Sequence, residues 1–101
     1  MTHYSEHLDA NRRLAILKLL IEDCGTSNDS VLELALREIG HRKELDRTAV
    51  RRLVTELEER ACVTSEIVRG VVMVVKITQR GRMAAVGDVS IDGIASPFAG
   101  L

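Results

Sequence analysis

The chain reads as a mostly helical α+β domain with one small β-hairpin, in the order helix, helix, helix, strand, strand, helix. Three observations predict this. Val50, Leu53, Val54 and Leu57 fall at i, i+3, i+4 and i+7, the stripe of a helix with one buried face. Two β-branched segments, 62–68 and 71–77, are separated by Arg69-Gly70, a step that can turn the chain into an antiparallel hairpin. A chain of 101 residues is long enough for one hydrophobic core and too short for a comfortable second.

The first helix is expected from Ser5 to about Asp23. Between Leu14 and Ile21 only Lys18 interrupts the apolar residues, so the helix is apolar nearly all round and calls for burial on two sides. Central placement in the domain or contact with a second subunit would each supply that. Gly25 is a stop, and Thr26 to Asp29 read as a polar connection. Ser30 with Glu33 resembles a capping box for a second helix through Leu32, Ala35, Leu36 and Ile39, although Asn28 and Asp29 are also good caps. That helix ends at Gly40, and a loop, His41 to Leu45, follows.

Asp46 caps the third helix, with Leu45 placed to pack on Val50 as a hydrophobic staple. Opposite the apolar stripe, at about 100° per residue, the helix gathers Thr48, Arg51, Arg52, Thr55 and Glu59, with Arg47 on the flank. The run Val71 to Val75 in the second strand asks for cover on both faces or for a partner strand. Thr78 then caps a short helix to about Val86. The sequence divides into a domain over 1–86 and an extended C-terminal tail over 87–101, whose Ile91, Ile94 and Phe98 can strap onto another surface.

Composition excludes several functions. Tyr4 and Phe98 are the only aromatic residues, so there is no stacking platform for single strands or RNA loops. Cys24 and Cys62 stand far apart without a His at finger-like spacing, so no metal or other cofactor is expected. His3, His7 and His41 have no nucleophile in a recognisable turn, Asp9 with Glu6 reads as a solvated pair, and no glycine pattern makes a phosphate loop, so no enzyme is expected. No apolar run approaches the ~20 residues of a membrane span, and with no secretory segment a soluble, cytoplasmic protein is expected.

Charge is polarised although the net charge is only -1. Residues 1–40 carry four basic and seven acidic side chains, net -3, whereas residues 41–52 carry five basic and two acidic, net +3. Arg47, Arg51 and Arg52 near the start of a helix oppose its dipole, as do Glu56, Glu58 and Glu59 near its end, by ~0.3–1 kcal/mol per site. An arrangement that works against the helix suggests use.

Two strings resemble the winged helix-turn-helix superfamily, in particular its ArsR-like and MarR-like branches. Val50 to Thr64 looks like a recognition helix and its exit into a wing, and Lys76 to Gly81 is similar to the passage from the second wing strand into the next helix. The whole chain, including His7-Leu8 and Arg12 to Leu17, resembles small winged-helix proteins encoded by Mu-like phages and prophages. The closely spaced cysteines of metal-sensing ArsR proteins are absent from the third helix.

The resemblance implies a sequence-specific double-stranded DNA-binding protein, a dimeric transcriptional regulator with the third helix in the major groove and the hairpin wing on the backbone. Expected DNA contacts are Arg42, Lys43, Arg47, Thr48, Arg51, Arg52, Thr55 and Arg69; an expected homodimer interface comprises Leu14, Leu17, Ile21, Ile91, Ile94 and Phe98. The competing reading is a winged-helix protein interaction or assembly module without DNA binding.

Overall fold

The computed structural model describes residues 2–98, with side chains from Tyr4 onward; residues 99–101 of the expected tail lie outside the described residues. The elements are α1 (Thr2–Glu22), β1 (Thr26–Asn28), α2 (Asp29–Glu38), α3 (Arg47–Glu59), β2 (Val63–Val68), β3 (Val72–Ile77) and α4 (Gln79–Val86). The fold is α+β: among the described residues, four helices and an antiparallel three-stranded sheet in the order β1-β3-β2.

The expected element order is corrected at one point. Thr26 to Asn28, expected as a polar connection, is a strand pairing with β3 through Thr26↔Lys76, Ser27↔Val75 and Asn28↔Val74. Three polar residues carry no apolar alternation, so nothing local marks them; the free edge of β3 recruits them. This also answers the valine run. β3 lies between two strands, Val75 is buried and Met73 and Val74 half-buried, while Val71 and Val72 run out exposed toward the hairpin tip.

The hairpin turns at Arg69-Gly70, both with positive φ (55° and 69°), as a turn matched to strand twist requires. The Val71 amide donates to the Val68 carbonyl at 3.1 Å, and Val68 pairs with Val72.

Caps fix the helix ends. Asn28 rather than Ser30 caps α2, accepting from the Val31 amide, while Asp46 and Thr78 cap α3 and α4. All four helices close with paired backbone bonds around a left-handed residue: Cys24, Gly40, Ala61 or Gly87. In α1 that position belongs to Cys24, with Gly25 one residue beyond.

The core joins Ile16, Leu17 and Leu20 of α1, Leu32 and Leu36 of α2, Val50, Leu53, Val54 and Leu57 of α3, and Val63, Val75 and Ile77 of the sheet. Leu45 is buried in the same cluster as Val50. Helix α1 contacts α2, α3 and α4, so its many-sided apolar character is met largely by central placement. It leaves a groove of about 380 Å³ lined by Leu8, Ala15, Leu19 and Ile39 among others.

The tail over 87–98 folds back on the helices. Ile91 is buried, Ile94 half-buried, and the Ala95 amide donates to the Ala10 carbonyl at 3.1 Å. Arg13, itself buried in α1, donates to the Gly93 carbonyl at 2.7 Å, and Arg60 to the Asp92 carbonyl at 2.9 Å. The extended strap of the sequence reading is thus a turn-rich segment held by two arginines, because its carbonyls satisfy donors that the helices leave over.

Candidate nucleic-acid interface

Helix α3 is fixed by burial of Val50, Leu53, Val54 and Leu57, which turns Thr48, Arg52, Thr55 and Glu59 outward. The loop before it is tied down from two sides. Arg12, 3% exposed, donates from Nη2 to the Lys43 carbonyl at 2.8 Å, and Arg37 of α2 donates to the Leu45 carbonyl. These ties set the position of the exposed Arg42 and Lys43.

Each expected recognition arginine already has a carboxylate. Arg47 Nε donates to Glu33 Oε1 at 2.9 Å, and Glu33 also receives Arg37 at 3.1 Å. Arg52 Nη1 lies 3.1 Å from Asp9 Oδ2 of α1 and 3.1 Å from Glu56 Oε2 of its own helix. Arg51 Nε donates at 2.7 Å to Asp29 Oδ2, and its Nη2 donates to the Val71 carbonyl at 2.6 Å. A residue expected to face DNA thereby joins α3, the start of α2 and the hairpin.

The titration behaviour follows from these contacts. Burial alone would raise the Asp29 pKa, but the Arg51 hydrogen bond and charge, with the amides of Met73 and Ser30, leave it lowered. Glu33 is lowered chiefly by hydrogen bonds from Arg47 and Arg37, and Arg52 is raised chiefly by its hydrogen bond to Asp9.

The remaining expected contacts differ in how free they are. Thr55 Oγ1 donates to the Arg51 carbonyl at 2.9 Å, occupying its only proton. Thr48 is exposed on the first turn of α3. Lys43 Nζ sits 5.3 Å from the centroid of the Tyr4 ring. Arg42 and Arg69 are exposed and, among the described residues, form no side-chain hydrogen bond or ion pair.

Two of the three glutamates in the second half of α3 are turned to other uses. Glu56, half-buried, accepts from Arg13 at 2.8 Å, and Ser65 Oγ donates to Glu58 at 2.6 Å, while Glu58 and Glu59 both stand exposed. The pairing carboxylates Asp9, Asp29 and Glu33 lie on other elements and are invisible to any reading of α3 alone; the acidic excess over residues 1–40 was their one signal.

The expected interface residues separate. Leu17 is wholly buried, while Leu14, on the wall of the α1 groove, and Ile91 keep only a small exposed area; Ile21 and Ile94 are half-buried and Phe98 is exposed beside Gly87. Among the described residues no helix is long and apolar enough to cross a membrane, and no three His, Cys, Asp or Glu side chains gather where they could hold a metal ion.

No family model matches the sequence. No solved structure matches it either. The chain is 36% identical over 90 residues to the uncharacterized protein gp26 of Escherichia phage Mu, an alignment covering 89% of this chain and 91% of that protein. Shared sequence on that scale, running from the first helix into the tail, makes this chain a member of the phage Mu gp26 family.

Proposed function

We propose that this protein is a small winged helix-turn-helix protein that binds double-stranded DNA and serves a phage or prophage as a regulator. In this reading α2, the loop and α3 form the helix-turn-helix, and the β2–β3 hairpin is the wing. The observation that carries it is the Arg51 bridge to Val71, which holds the hairpin tip beside the exposed first turns of α3. Arg47, Thr48 and Arg52 face the groove, Arg42, Lys43 and Arg69 meet phosphate, and Arg51 is reassigned to holding the wing. The pairing of Glu56 with Arg13 supports this reading, because it lessens the acidic charge a duplex would meet. A homodimer reading a two-fold site belongs to the same proposal, with Ile21, Ile94 and Phe98 keeping surface for the contact.

A fluorescently labelled 24-base-pair duplex of mixed sequence, titrated at several salt concentrations, tests the proposal. Binding should weaken with a log–log slope of about -0.9 for each phosphate neutralised. Arg42→Ala, Lys43→Ala and Arg69→Ala combined should flatten that slope by two to three per protomer, on the order of 0.9 each. Absence of binding at low salt, or a slope unchanged by the triple substitution, overturns it.

One observation favours a second reading, a protein interaction or assembly module. Ile67, Val68, Val71 and Val72 all stand exposed around Arg69, from 37% to 67%. A clustered apolar tip is a recognised mark of a protein contact. Loss of DNA binding in the first experiment would favour this alternative.

A further inference from the structure

Two arginine–carboxylate pairs on the outer surface share one geometry. In Arg47–Glu33 the arginine side chain is 47% exposed and the glutamate 18%; in Arg52–Asp9 the values are 46% and 23%. The guanidinium is the outer member each time, and the carboxylate comes from beneath, from α2 or α1. A phosphate approaching α3 therefore reaches the arginine, but must share it with an acceptor of the same kind already in place. Whatever it gains is reduced by repulsion from the carboxylate it displaces.

Resting on the DNA-binding reading, we propose that Asp9 and Glu33 are specificity-determining carboxylates that compete with backbone phosphate for Arg52 and Arg47. They suppress binding to arbitrary duplex, which is driven by phosphate neutralisation, while leaving Thr48 and the shape of the α3–hairpin surface available to a correct site. Their position on α1 and α2 distinguishes them from ordinary helix-surface partners. Glu56, four residues along α3 from Arg52, would serve as the local partner by itself.

The test uses the full chain and the mixed-sequence 24-base-pair duplex. Asp9→Asn with Glu33→Gln should raise affinity at 50 mM salt about tenfold or more and steepen the salt slope by one to two, on the order of 0.9 per arginine released. Glu59→Gln removes one negative charge from α3, the helix that carries both arginines, yet Glu59 pairs with no arginine among the described residues, so it should change affinity by about twofold or less. A gain no larger than that of Glu59→Gln, or an unchanged slope, overturns the proposal while leaving DNA binding standing. No binding by the native chain and none by the double variant overturns both. If circular dichroism shows that loss of the Glu33–Arg37 pair loosens α2, Asp9→Asn alone decides, with a steeper slope expected, by less than about 0.9 because Glu56 still accepts from Arg52, and an unchanged slope overturning the proposal.

Discussion

Arg51 and Asp29 form an ion pair in which the carboxylate is fully buried and the guanidinium about one-third exposed, at 2.7 Å. Asp29 Oδ1 also accepts from the Ser30 amide at 2.9 Å and the Met73 amide at 3.4 Å, so one carboxylate joins the start of α2, the second turn of α3 and the turn-proximal part of β3. Arg51→Ala should cost about 2–3 kcal/mol in urea denaturation, below the 3–5 kcal/mol of a fully buried pair because the arginine is part solvated. The double variant Asp29→Ala, Arg51→Met should lose less than the two single changes summed, because no unpaired charge remains inside. Additive losses would remove the case for a coupled clamp.

Acid should unfold the protein through the same groups. The pKa values of Asp29 and Glu33 are lowered in the fold, so as pH falls the unfolded chain takes up these protons first. Their stabilisation is complete above the ordinary carboxylate pKa of about 4 and is lost as pH drops through the lower folded values. Asp29→Asn should therefore be less stable than the native chain at pH 7, with a shallower decline between pH 5 and 3. Parallel curves for the two proteins would show that Asp29 does not contribute to that decline.

How far the sequence reaches depends on the range of each interaction. Asp46 and Thr78, the Val50-to-Leu57 stripe and the Arg69-Gly70 turn are local signals, and the structure has each element in its expected place. Strand β1 depends on an edge of β3 nearly fifty residues away, and its three polar residues carry no pattern of their own. The candidate surface divides similarly. Exposure of Thr48, Arg42 and Arg69 follows from helix phase and turn position, whereas Arg51 pointing to Asp29 and Arg52 to Asp9 requires the tertiary packing of α3 on α2 and α1. Arg12 and Arg13 are likewise legible only as charges. Their burial exists because the loop and the tail offer carbonyls at the right depth.

Gly81 is fixed by close approach. A Cβ there would lie 2.2 Å from the Cys62 carbonyl oxygen and 2.8 Å from Ile77 Cγ1, and that carbonyl already accepts from the Thr78 amide at 3.0 Å. Gly81→Ala should therefore destabilise by about 1–2 kcal/mol net, since overpacking outweighs the ~1 kcal/mol gained in helix propensity. Ala61, at φ +61°, should behave oppositely. Relief of left-handed strain, ~1–2 kcal/mol, exceeds the entropy cost of glycine, ~0.4–1 kcal/mol, so Ala61→Gly should raise the denaturation midpoint. A lower midpoint for Ala61→Gly would contradict the strain attributed to that position.

The tail offers the most direct check on where the folded unit ends. A chain stopped after Val86 would expose the surface that Ile91 covers and leave Arg13 Nη1 without the Gly93 carbonyl. Burying an isoleucine contributes about 1.5–3 kcal/mol, and leaving a buried donor unsatisfied costs about 1–3 kcal/mol. The truncated chain should thus lose about 3 kcal/mol or more, a large share of the 5–15 kcal/mol typical of a domain. Ile91→Ala in the full chain isolates the packing part and should cost about 2–3 kcal/mol. Arg13 also holds Glu56, which in turn holds Arg52, so loss of the tail should loosen the α1–α3 contact as well. Faster amide exchange in α1 and α3 of the truncated chain would report that coupling; equal stability of the two chains would make residues 87–101 an appendage and the domain end at Val86.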